Sequence, residues 1–192
     1  VMLVQFVSLK RDGEKVSMST RTGEFETLAD VIKEVGVDAT RFFFLMRSSD
    51  THLDFDLELA KKESPENPVF YIQYAHARIC SIFRTAREQG IKQFNSIDID
   101  LSPLTNEEEF IMIKKILSFA EIIEKSAELL EVHRIAFYLQ DLVATFHRYY
   151  SRNRIVSNDH TLSLARLFLI NCLRITIHNG LSIMGVSAPE RM

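Results

Sequence analysis

The residues best suited to chemistry lie in Phe146-His147-Arg148-Tyr149-Tyr150-Ser151-Arg152-Asn153-Arg154, near the end of an amphipathic run. Three aromatics, a histidine and three arginines within nine residues offer flat rings and guanidinium planes. Unpaired bases are held by stacking on such planes and by hydrogen bonds to their edges. Phe146 and Tyr150 fall in register with the apolar stripe Ile135, Leu139, Leu142, Val143, so one of them serves the core. A second group lies on the helical stretch 68–89. There Tyr71, Tyr74 and Arg78 share a face suited to phosphate and ribose contacts. Gln73 and His76 fall beside the core stripe Val69, Ile72, Ile79, Cys80, Phe83 and need hydrogen-bond partners. A third group, His52-Leu53-Asp54-Phe55-Asp56, alternates as metal ligands on a strand would. With no second ligand cluster nearby, no metal site is expected. Asp56 is read as a helix cap, with Leu53 and Phe55 turned inward.

These groups need elements to hold them. Asp12-Gly13, between β-prone runs at 3–9 and 15–18, predicts a hairpin. Thr27-Leu28-Ala29-Asp30 resembles a capping box opening a short helix to Val35, which Gly36 ends. Asp38 is expected to cap a helix over 39–47, and Asp56 one over 57–62. Ser64-Pro65-Glu66-Asn67-Pro68 is the strongest punctuation, with Asn67 as N-cap and Pro68 as first helical residue. The boundary between two domains, 1–64 and 65–192, is placed there. Helix 68–89 ends at Gly90, and 91–104 reads as a loop. A capping box at Thr105–Glu108 then opens helix 107–130, with Ile113, Ile116, Leu117, Ala120, Ile123, Ala127 and Leu130 on one face. Helices 133–152 and 160–184 complete the pattern; Gly180 implies a close helix–helix approach, and Gly185 with Pro189 ends the last helix. The fold class is mainly α: a C-terminal bundle of four or so helices, preceded by a small β-hairpin and short helices.

Composition sets limits. The 192 residues carry a formal charge of −3, too little for coating a polyanion by charge alone. Residues 133–192 hold seven Lys/Arg against three Asp/Glu, a local +4 that leaves −7 on the rest. That asymmetry permits an anionic partner on the C-terminal third. Cys80 and Cys172 lack metal-ligand spacing and suit buried thiols in a reducing, cytoplasmic setting. The segment 162–184 is long and apolar, but Arg166, Asn171, Arg174 and His178 are costly in lipid, so a central helix of a soluble bundle is expected and no membrane. The opening Val-Met-Leu-Val reads as a strand, as expected of a piece cut from a longer protein.

Two stretches resemble arginyl-tRNA synthetase: VGVDATRFFFLMRSSDTHLDFDLELAKKESPENPVFYIQYAHARI at 35–79, and Asn179–Met192. The resemblance covers essentially the whole chain and implies the C-terminal third of a bacterial-type enzyme. The full enzyme would use ATP with Mg to activate arginine and esterify it to arginine tRNA. It implies that Ser17-Met18-Ser19-Thr20-Arg21 stand where class I synthetases carry a Lys-Met-Ser-Lys-Ser loop, whose cations stabilise charge developing on ATP phosphates. Only Met18 and Ser19 match that loop; Ser17 and Thr20 replace its lysines, and Lys15 and Arg21 flank it. It implies contact of residues 51–56 with the inner side of the tRNA L, of Arg78 and Tyr74 with tRNA, and of Tyr150 and Arg154, with Phe146 and His147 in the same run, with the anticodon loop. Met192 is implied to lie beside Tyr150 and Arg154. Anticodon occupancy would be relayed through residues 38–62 to the Ser19 loop. A His-Ile-Gly-His-like motif and an arginine pocket are missing from the sequence, so this stretch alone is expected neither to activate arginine nor to charge tRNA. A monomer is expected. Two other readings are a helical protein-interaction module and the equivalent domain of another class I synthetase such as the cysteinyl enzyme.

Overall fold

The structure is a computed structural model describing residues 5–16, 26–91 and 98–192. Ser17, Met18, Ser19, Thr20 and Arg21 lie outside the described residues. The chain opens with β1 (Val7–Arg11) and β2 (Glu14–Lys15), antiparallel with Arg11 opposite Glu14. Asp12 and Gly13 both take positive φ, 54° and 82°, which a two-residue turn matched to strand twist requires. The strands therefore reach further into the turn than 3–9 and 15–18 predict. On its other edge β1 pairs in parallel with β3 (Leu53–Asp56), Val7 opposite Leu53. Leu53 and Phe55 are buried beneath the sheet, as expected.

Helix α1 (Leu28–Val35) starts with the expected box, in which Thr27 and Asp30 satisfy each other's backbone N–H groups. The next helix, α2 (Val37–Leu45), corrects the reading of Asp38. Gly36 is the N-cap residue, and the Asp38 carboxylate turns away to accept from the backbone N–H of Ser187 at 3.1 Å. Asp56 does cap α3 (Leu57–Lys61), through the N–H of Leu59. Asn67 caps α4 (Pro68–Glu88), with Pro68 at its first turn, where a missing N–H costs nothing.

The expected helix 107–130 is two: α5 (Glu107–Leu117) and α6 (Phe119–Leu129). Its box uses Asn106 with Glu109, one residue later than predicted. At Ser118 the backbone hydrogen bonds continue from Lys114 and on to Ile122, but ψ opens to −7° and the hydroxyl bonds the Lys115 carbonyl. This is a kink caused by a side chain entering the ladder. It turns the buried face, so Met112 is fully buried while Leu117 and Leu130 are exposed. Helices α7 (His133–Arg152) and α8 (His160–Ile183) complete the bundle. Helix α7 touches α4, α5, α6 and α8, so it is the hub. The apolar core runs without interruption from Leu9 to Val186. Among the described residues only α8 has the length and composition to cross a membrane, yet Leu167, Ile170, Leu173, Ile177 and Leu181 are buried inside the bundle.

Candidate nucleic-acid interface

The C-terminal turn of α7 separates its aromatics by depth. Phe146 is fully buried and so belongs to the core stripe. Tyr149 is also entombed, its hydroxyl donating to Glu109 Oε1 at 2.7 Å. Burial first, then that carboxylate, raises its phenol well above the ordinary tyrosine value. Tyr150 is half-buried, its ring stacked on Phe146 with centroids 5.7 Å apart. Its remaining surface opens to solvent beside Arg78, whose guanidinium carbon lies 5.5 Å from the ring centroid.

Arg78 ties the two aromatic groups together. It lies 5.3 Å from the Tyr74 centroid and donates to the Tyr74 hydroxyl at 2.7 Å. His147 sits beneath, 4.7 Å from Tyr71 and 6.0 Å from Tyr74. Burial lowers the His147 pKa; a hydrogen bond with the Tyr71 backbone opposes this, and the Arg78 charge adds to it. The imidazole is thus neutral support for the rings rather than a cation for a ligand.

The backbone after α7 is fixed by a polar hub. Glu109, fully buried, accepts from Tyr149 and from Arg166 Nε at 2.9 Å. Arg166 Nη1 then donates to the Arg154 carbonyl at 2.8 Å. Asn153 bonds Glu108, Asn106 and the Tyr149 carbonyl. Arg152 pairs with Glu108 at 3.1 Å. The Arg154 side chain is left exposed on a rigid stem.

Two depressions flank Arg78. One, of about 660 Å³, is lined by Arg78, Ser81, Tyr150, Arg152, Asn153 and Arg154. The other, of about 360 Å³, is lined by Tyr74, Arg78, Ser81, Arg84, Arg191 and Met192. Tyr150 and Arg154 thus line one hollow and Met192 the next, with Arg78 and Ser81 as the shared wall. Ser81, Arg84 and Arg191 escaped the sequence reading. The signal was present, since 74, 78, 81 and 84 recur at helical spacing on one face of α4.

The neighbouring polar groups are structural. Gln73 donates to Asp38 and to the Ser187 carbonyl at 2.8 and 3.0 Å. His76 Nδ1 lies 2.9 Å from the Pro189 carbonyl. Both core partners thus come from α2 or the last residues of the chain. His52 is 3.3 Å from Asp54, which also pairs with Lys10 at 2.7 Å. Among the described residues no three His, Cys, Asp or Glu are grouped to hold a metal.

The family model of the DALR anticodon binding domain matches residues 72–192, which include both depressions. The chain belongs to this family. It is 54% identical over its whole length to the arginine–tRNA ligase of Syntrophotalea carbinolica, and 52% identical to that of Symbiobacterium thermophilum. It spans only 35% and 34% of those two proteins. A Campylobacter jejuni structure described as an arginyl-tRNA synthetase superposes with a TM-score of 0.86 and 34% identity, over 99% of this chain and 40% of that one. The Thermus thermophilus arginyl-tRNA synthetase shares the fold, with a TM-score of 0.72 at 24% identity, over 96% of this chain and 34% of that one.

Proposed function

We propose that this chain is the tRNA-binding C-terminal part of an arginine–tRNA ligase, and that it grips the anticodon loop at the two depressions flanking Arg78. The observation that carries the reading is Arg78 between Tyr74 and Tyr150, within the stretch matched to an anticodon-binding family. Loop bases stack on the open parts of the two tyrosines. Arg78, Arg152 and Arg154 face the phosphates, and Met192 closes the second hollow. The rings are supported from behind by Phe146 and His147, so they are pre-aligned before RNA arrives.

In the whole ligase, ATP with Mg supplies the energy for joining arginine to its tRNA. The stretch 17–21 would serve that ATP, and residues 38–62 would relay anticodon occupancy to it. We place the domain boundary at 64/65, the working form as a monomer and the site of action in the cytoplasm. The chain by itself should show no arginine-dependent pyrophosphate exchange.

Filter binding with arginine tRNA and an unrelated tRNA tests the reading. Arginine tRNA should bind more tightly, with affinity falling steeply as salt rises. Tyr150→Ala should weaken it about 5- to 150-fold, the equivalent of roughly 1–3 kcal/mol for one stacked base. Equal binding of both tRNAs, or an unchanged Kd for the variant, would overturn the assignment. Salt-insensitive capture of a protein would instead favour an interaction module.

A further inference from the structure

On the side of α4 facing α8 lies a third depression, of about 340 Å³, whose walls include Arg84, Arg87, Arg174, Arg191, Asn171 and Glu190. Four arginines and one glutamate thus line a single hollow, on a chain whose total formal charge is negative. Like charges so gathered repel, and a bound anion relieves that repulsion. Arg174 and Arg84 are held in place beforehand. Arg174 Nε and Nη2 both donate to Asn171 Oδ1, at 3.2 and 3.1 Å, and its guanidinium carbon is 5.9 Å from the Phe83 ring centroid. Arg84 Nη1 donates to the Glu190 carbonyl at 3.2 Å. Arginine's planar fork suits phosphate oxygens, and holding it in advance reduces the ordering entropy of binding.

This hollow is not isolated. Arg84 and Arg191 line both it and the depression containing Tyr74 and Met192. An arginine-lined track therefore runs across α4, from Arg154 and Arg152 through Arg78 to Arg84, Arg191 and Arg174. We infer that the Arg84–Arg87–Arg174–Arg191 hollow is a phosphate site gripping the RNA backbone beyond the nucleotides held at Tyr74 and Tyr150. The inference rests on the proposed tRNA-binding role and extends its footprint to α8. It assigns Arg174 and Arg87 to affinity without base discrimination, because phosphate contacts carry no sequence information directly.

The test measures affinity against KCl concentration for arginine tRNA and an unrelated tRNA, using the chain, Arg174→Gln, Arg87→Gln and Tyr150→Ala. Arg174→Gln and Arg87→Gln should each weaken both tRNAs by a similar factor and reduce the slope of log K against log salt by about 1. Tyr150→Ala should weaken binding and leave the slope in place. Melting with inorganic phosphate or pyrophosphate supplies the other arm. Stabilisation by these anions that Arg174→Gln abolishes, with unchanged RNA slopes, would mean a free-phosphate site and overturn the inference. If the wild-type chain binds RNA and Tyr150→Ala weakens it while both arginine variants keep the full slope, this inference alone fails. If the wild-type chain binds no tRNA, the proposed function fails and takes the inference with it.

Discussion

Removing the carboxylate at Glu109 should be among the most damaging single changes in the bundle. Glu109 is fully buried on α5 and serves three donors: the Tyr149 hydroxyl at 2.7 Å, Arg166 Nε at 2.9 Å and its own N-cap backbone N–H at 3.1 Å. Glu109→Ala leaves Tyr149 and Arg166 without that acceptor. Breaking a buried ion pair from one side costs about 3–5 kcal/mol, because a charge is left uncompensated. Here the figure belongs at the lower end, since the Arg166 side chain is 14% exposed and keeps its bond to the Arg154 carbonyl. The expected loss is therefore about 3 kcal/mol, or roughly 6–12 °C in Tm for a chain of this size. Glu109→Gln keeps an acceptor and the shape, and should lose about half as much. Urea unfolding followed by circular dichroism measures both. A loss below about 1 kcal/mol for Glu109→Ala would mean that the hub does not hold the end of α7.

Two further outcomes follow from the packing and the titrations. A methyl at Gly180 would sit 2.8 Å from Leu139 Cδ2 and 3.1 Å from Cδ1, and Leu139 is too deeply buried to swing away. Overpacking costs about 1–3 kcal/mol, against about 1 gained in helix propensity, so Gly180→Ala should lower the urea midpoint; a raised midpoint refutes the close-approach reading. Burial lowers the pKa of both His76 and His147 from the ordinary 6.5. The unfolded chain then binds protons that the folded one refuses, so stability is full above about pH 6.5 and falls as pH drops below it. Urea midpoints at pH 7.5 and 5.5 should show that fall, and His147→Phe should reduce it; an identical fall in the variant refutes the assignment to His147.

Much of the frame was legible because its signals are local. Thr27 with Asp30, Asn67 with Pro68, and Asp12-Gly13 each specify their geometry within four residues, and the structure obeys them. What escaped depends on distance or rotation. The alternation at 53–56 was legible as a strand, but β3 pairs with a strand some forty residues earlier, and no local pattern names that partner. Which ring keeps an open face could not be chosen from the stripe on α7. After Phe146 a core stripe continues at either 149 or 150, the two admitted by a 3.6-residue period. Contact with Glu109 and Arg166 decides for Tyr149 as the buried ring, and both partners lie on other helices. The kink at Ser118 likewise turned a continuous stripe into two faces, because one hydroxyl and an opened ψ lie below the resolution of pattern counting.

The same distinction explains Asp38, a residue whose local pattern says cap and whose use is long-range. After Gly185 reverses the chain with φ of 67°, residues 186–192 form no helix or strand. Ordering such a segment costs about 1–2 kcal/mol of backbone entropy per residue, so it needs anchors. Val186 is buried, and Asp38 accepts from both the backbone N–H and the hydroxyl of Ser187. Arg41 holds the Gly185 carbonyl at 2.9 Å, while His76 and Arg84 meet those of Pro189 and Glu190. Asp38 and Arg41 belong to α2, outside the stretch matched by the family model, whereas His76 and Arg84 belong to α4 within it. Arg191 and Met192 therefore reach their places in the depressions only because both parts of the chain hold the segment before them. Residues 72–192 alone would omit the helix that helps position two of the residues lining these depressions.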